Sequence, residues 1–205
     1  MLMPALETER LLIRPLALDD LEAIYQILDV DLAEAALGTE GAQTRTDRAQ
    51  WLQWTIMSYE QLAMLHQPPY GERAVVLKQT GTLIGACGYA PCLDAFGQLP
   101  GFAAPEGAAG MRLNSTRMGL FWALAPAYQH QGYATEAARA LIDYAFSRLN
   151  LHHIVATTTY DNAASMAVMR RVGMRIERNP YPDPPWLQVV GILMHPGIRS
   201  AGLPA

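Results

Sequence analysis

The chain has 205 residues, a net charge of -4, a pI near 5.7 and 51% apolar residues. That suits a core of ordinary domain size and excludes a disordered chain. Lys78 is the single lysine and no basic run occurs, so neither nucleic acid nor an anionic membrane is expected as a partner. Met1 to Arg10 lacks the pattern of a signal peptide. The longest nearly apolar run, Met118 to Tyr128, is too short to span a bilayer and contains Pro126. Cys87 and Cys92 match no metal or redox spacing, so both are expected as reduced thiols. Together these features predict a cytoplasmic protein.

Arg10–Pro15 reads as a strand. Asp19 is placed to cap a helix, with Glu22 completing a capping box and Leu21, Ile24, Tyr25 and Leu28 forming the buried face. A second helix is expected from about Thr46 to Leu65, with Trp51, Trp54, Thr55 and Ser58 along one side and Pro68-Pro69 ending it. Ala74–Lys78 and Leu83–Tyr89 read as a hairpin turning at Gln79–Thr82. Pro91–Thr116 is rich in glycine and proline without periodicity, and is expected as a long inserted loop.

Met118–Leu124 is a further strand, stopped by Pro126. Tyr133–Leu149 carries the clearest helical period in the chain, through Ala137, Ala140, Leu141, Tyr144 and Ala145. His153–Thr159 reads as a β-branched strand, Asn162–Val172 as a short helix with Gly173 at its C-terminal cap, and Met174–Glu177 and Leu187–Met194 as closing strands. The order predicts a mixed α/β domain over residues 1–205, its helices covering one sheet. His152 and His153 have no third ligand at a suitable spacing, so no metal is expected.

The informative segment is Phe121 to Glu136, FWALAPAYQHQGYATE. A strand ends, a proline stops it, and a helix starts just after Gly132. Gly132 permits φ > 0 and close backbone approach, and Ala134 keeps the next turn small. The first N–H groups of the helix have no intrahelical partner and carry the positive end of its dipole, so a diphosphate fits there without a lysine. A plain structural turn is the bland alternative.

Gln129-His130-Gln131-Gly132-Tyr133-Ala134 resembles motif A of the GNAT superfamily of N-acetyltransferases, Gln/Arg-x-x-Gly-x-Gly/Ala. Thr8–Pro15 is similar to the first strand of the branch that acetylates ribosomal-protein N-termini on alanine or serine. Tyr160–Ser165 and Arg170–Met174 are similar to later segments of that branch.

The resemblance implies a GNAT acyl-CoA N-acyltransferase fold: a largely antiparallel sheet splayed at the strand before motif A and flanked by helices. It implies acetyl-CoA as cosubstrate and a primary amine as acceptor, either a protein N-terminus or a small molecule, in a monomer or homodimer. By the same resemblance, Phe121, Trp122, Ala123 and Leu124 lie beside the pantetheine arm. The amides of Gln129 to Ala134 hold the pyrophosphate, and Asn162 bonds the arm while also capping its helix. Ser165 sits near the CoA sulfur, where many members have tyrosine, as a hydrogen-bonding or water-holding group. A backbone N–H near Leu124 steadies the developing oxyanion. Thr116-Arg117-Met118-Gly119 departs from the family, with Arg117 where a glutamate base is common. Glu72, Glu106 and Tyr160 are the substitutes. Phe96, Phe102 and Trp186 are expected to line the acceptor side or to anchor loops. A non-catalytic acyl-CoA-binding module and a plain phosphate-binding protein are the other readings.

Overall fold

The structure, a computed structural model, describes residues 2–33, 41–102 and 113–198. Eight strands form one sheet: β1 (Leu6–Glu7), β2 (Leu11–Pro15), β3 (Gly71–Leu77), β4 (Leu83–Asp94), β5 (Ser115–Leu124), β6 (His153–Thr158), β7 (Arg175–Arg178) and β8 (Val189–Met194), in the order β1-β2-β3-β4-β5-β6-β8-β7. Every neighbouring pair is antiparallel except β5 and β6, which are parallel. The predicted mixed sheet is therefore present, together with its largely antiparallel character.

Helices cover both faces. Helices α1 (Leu21–Tyr25) and α2 (Arg45–Met64) pack on one face, where Leu16, Ile24, Leu52, Ala74, Val76 and Ala86 are buried together. Helices α3 (Tyr133–Ser147) and α4 (Ala163–Arg171) close the other, around Leu11, Ile13, Val75, Leu120, Leu141 and Met169. The period-2 alternation of the central strands sends one set of side chains to each layer. Close approach of β4 to β5 requires Gly85, where a Cβ would sit 2.1 Å from the Ala123 carbonyl oxygen.

Two expectations need correction. Pro91–Thr116 is not a loop throughout: β4 runs on to Asp94, and β4 and β5 pair as far as Asp94 opposite Ser115. The hairpin is extended because cross-strand pairing supplies the order that the local sequence lacks. The first helical turn starts at Leu18, and the capping carboxylate is that of Asp20, not Asp19. Asp20 Oδ2 accepts the Ala17 amide at 2.8 Å and Arg14 Nη1 at 2.7 Å, while Glu22 instead pairs with Arg45. On α2, Trp54 lies away from the sheet. It is 62% exposed, because the helix carries apolar residues on both faces and only one can meet the sheet.

Candidate active site

Strands β5 and β6 meet at one register point, Gly119 opposite Val155. Past it, β5 continues to Leu124 and β6 to Thr158 without pairing, and the opened edge walls a cavity of about 630 Å³. The Ala125 amide donates to Ile84 O at 2.9 Å, and main-chain groups alternate sides along an antiparallel strand. Counting back, Ala123, Phe121 and Gly119 bond toward β4, while the main-chain groups of Leu124, Trp122 and Leu120 turn toward the opened edge. Consistent with this, Leu124 O accepts Gln129 Nε2 at 2.9 Å from the loop that follows.

That loop has a distinctive backbone. His130 (φ +59°) and Gly132 (φ +86°) are left-handed on either side of Gln131, an alternation that turns successive N–H groups into a concavity suited to an anion. Gly132 is the N-cap of α3 and contributes no side-chain cap. The amides of His130, Gln131, Gly132, Tyr133, Ala134 and Thr135 have no acceptor among the described residues. The Gln129 amide, by contrast, is taken by Pro126 O at 3.2 Å, so the run of free donors starts one residue later than the sequence suggested and reaches one further. The side chains of Gln129 and Gln131 brace the loop, the latter through Ala127 O at 2.8 Å.

Arg10 and Glu136 brace the loop and, with His130, Gln131, Gly132 and Thr135, line a second cavity apart from the one at the β5 edge. Arg10 Nη1 donates to Gln131 O at 3.1 Å, its guanidinium lies 4.3 Å from the centre of the Tyr133 ring, and its Nε reaches Glu136 Oε2 at 2.7 Å. Burial alone pushes the Glu136 carboxyl up, but donors from Thr8 and from the amide and guanidinium of Arg10 outweigh it and hold it below the usual range. This staple was invisible in the sequence, since its partners lie at opposite ends of a long chain segment.

Asn162 and Ser165 line the cavity with Thr157, Thr158 and Thr159. Asn162 Oδ1 caps α4 by accepting the Ser165 amide at 2.9 Å, which leaves its Nδ2 donor for another partner. The same cavity is lined by Leu28, Arg48, Trp51, Glu72, Ala86 and Ala90, and by Pro185 and Trp186. Glu72 lies on β3 opposite Gly88. Burial raises its pKa, with its own amide and the nearby Arg48 charge pulling partly back. Arg48 is itself neutralised: Nε and Nη2 reach Asp29 at 2.7 and 2.9 Å, and its guanidinium lies 4.5 Å from the centre of the Trp51 ring.

The other sequence candidates separate from this cavity. The Tyr160 hydroxyl donates to Asn179 O, so it is anchored as a packing group. Arg117 stacks between Phe96 and Phe102, 5.8 and 4.9 Å from their ring centres. Neither ring lines the cavity, while Trp186 does. Glu106 lies outside the described residues. Among the described residues no three His, Cys, Asp or Glu side chains are arranged to hold a metal, and no helix is long and apolar enough to cross a membrane.

A strand edge opened beside a bare helix N-terminus is the architecture of acyl-CoA-dependent acetyltransferases, and known proteins agree. The fold is similar to that of an acetyltransferase from Agrobacterium tumefaciens str. C58, with TM-score 0.64 and 26% identity over 93% of this chain and 94% of that one. It is also similar to the ribosomal-protein-S5-alanine acetyltransferase from Vibrio fischeri, with TM-score 0.64 and 16% identity over 94% and 97%. In sequence the chain is 48% identical over 56 residues to the uncharacterized N-acetyltransferase YnaD of Bacillus subtilis (strain 168), a match spanning 27% of this chain and only 33% of that protein. The model of the acetyltransferase (GNAT) domain matches residues 10–175, and the chain belongs to that family of acetyl-transferring enzymes.

Proposed function

We propose that the protein transfers the acetyl group of acetyl-CoA to a primary amine by direct attack. The observation that carries this reading is the run of unpartnered amides from His130 to Thr135 following the opened end of β5, whose edge walls a cavity that the half-buried Glu72 also lines. The residues present fit the cosubstrate. The free amides and the dipole of α3 suit a diphosphate. The edge-facing groups of Leu120, Trp122 and Leu124, flanked by Phe121 and Ala123, suit an extended amide-bearing arm, and Asn162 Nδ2 adds a donor.

Acetyl-CoA supplies the acetyl group as an activated thioester. The incoming amine is mostly protonated near neutrality, with a pKa near 8 for an α-amine and 10.4 for an alkyl amine such as lysine's. Glu72 takes the proton that frees the nitrogen lone pair, and its raised pKa makes it a stronger base than an exposed glutamate. The nitrogen bonds to the acetyl carbon, the carbon–sulfur bond breaks, and CoA leaves as thiolate, taking up the proton that the nitrogen sheds on becoming an amide. The Leu124 N–H faces the edge where negative charge builds on the carbonyl oxygen. Ser165 offers a hydroxyl on the same wall, as a hydrogen-bond donor or water holder for the departing sulfur. Holding both reactants in one cavity contributes roughly 7–11 kcal/mol through orientation.

The test is calorimetric titration with acetyl-CoA, followed by free-thiol release with amine acceptors. Saturable binding and amine-dependent thiol release are expected. A protein that does not bind acetyl-CoA would overturn the reading, and one that binds without turnover on any amine would be a binding module.

A further inference from the structure

The acceptor half of the cavity has a composition of its own. Its charged groups among the described residues are Glu72 and Arg48, and Arg48 is paired with Asp29 at 2.7 Å. The remaining lining residues outside β5, β6 and α4 are Leu28, Trp51, Ala86, Ala90, Cys92, Pro185 and Trp186, while Thr157 to Thr159, Asn162 and Ser165 make the β6–α4 side polar. Trp186 is half exposed, yet its indole Nε1 is fixed by the Asp94 carboxylate at 3.2 and 3.3 Å. It is a pre-set wall rather than a loose surface ring. Trp51 is likewise held against the Arg48 guanidinium.

We infer that this half of the cavity selects a monoamine borne on a compact aromatic or branched apolar body, in preference to a polyamine or a protein N-terminus. The inference rests on the acetyl-transfer reading above. Three features of the lining support it. Glu72 is the one carboxylate among the described lining residues, which suits a single ammonium. The indoles of Trp51 and Trp186 attract both an ammonium before it is deprotonated and an apolar body after it. A peptide following an N-terminus would bring amide groups that need polar partners, and the acceptor walls are mostly hydrocarbon and indole.

The experiment measures thiol release from acetyl-CoA with 2-phenylethylamine, spermidine and a short peptide beginning with alanine, after acetyl-CoA binding has been checked by calorimetry. The expected result is a kcat/KM for phenylethylamine at least tenfold above the other two. Trp186→Ala, and the milder Trp186→Phe as a folding safeguard, are compared with Trp54→Ala on the outer face of α2. Trp186→Ala is expected to raise the KM for phenylethylamine about tenfold, as loss of an aromatic contact does, with the KM for acetyl-CoA unchanged. Trp54→Ala should change neither. Higher kcat/KM for spermidine or the peptide, no turnover of phenylethylamine, or an unchanged acceptor KM in both Trp186 variants would overturn the inference while leaving acetyl transfer intact. Failure to bind acetyl-CoA would remove the underlying reading first.

Discussion

At the scale of single residues, the proposed chemistry rests on Glu72 and Asn162. Glu72 must lose its proton to act as base, and burial raises its pKa, so activity should climb with pH through a limb above the ordinary carboxylate range. Glu72→Gln should lower kcat by about 10²–10⁴-fold and abolish that limb, with the KM for acetyl-CoA unchanged; a pH–rate series on both proteins checks it. Asn162 has two roles that one pair of variants separates. Asn162→Asp keeps an oxygen to cap α4 but loses the Nδ2 donor, so thermal stability should hold while the KM for acetyl-CoA rises. Asn162→Ala should also cost about 1 kcal/mol of stability through the lost cap. The cysteines hold no such promise: burial pushes the Cys87 thiol up to about 12 and raises that of Cys92, which keeps both as weak nucleophiles. The left-handed Gly132 and the Asn162 helix cap were legible in the sequence because each follows from neighbours a few residues away. Glu72 was one of three candidate bases, and nothing in its local sequence distinguished it from a solvated surface charge.

At the scale of elements, the junction from β5 into α3 combines a left-handed backbone with bare amides. Gly132→Glu should abolish acetyl-CoA binding, by calorimetry, with the far-UV spectrum retained. A Cβ there meets only Arg10 Nη2 at 3.3 Å, so the fold tolerates it, at about 1–2 kcal/mol for the left-handed conformation. The added carboxylate would then compete for the same donors. The helical period of Tyr133–Leu149 and the strand before it were readable, because one face of each is buried against the sheet. The extended β4–β5 hairpin and the outward face of α2 were not. Pairing of Asp94 with Ser115 is a long-range event, and Trp54 has the same composition signal as the buried Leu52.

At the scale of the whole molecule, the protonation of the fold sets its acid stability. His153 is held down to about 4 by burial, then by Arg117 and His152, against an unfolded value near 6.5. The unfolded chain therefore takes up this proton first, and the stability His153 confers is full above about pH 6.5 and is lost as pH falls toward 4. Despite burial, Asp20 beside Arg14 and Glu136 beside Thr8 and Arg10 are held below the usual carboxylate range. Their contributions are full above the unfolded values near 4 and are lost as pH falls from there through the lower folded values. Thermal unfolding from pH 8 to 3 should show Tm falling in two stages, and His153→Gln should flatten the first; an unchanged upper stage would remove His153 as its cause. The sequence by itself determined the strand–loop–helix junction from Phe121 to Glu136, the mixed α/β sheet covered by helices and the family, since each depends on residues contiguous in the chain or on local period. Only the tertiary structure decided which carboxylate and which indoles line the cavity at the opened β5 edge, because β3, α2 and the Pro185–Leu187 turn meet there through sheet order and packing, which no local stretch of sequence encodes.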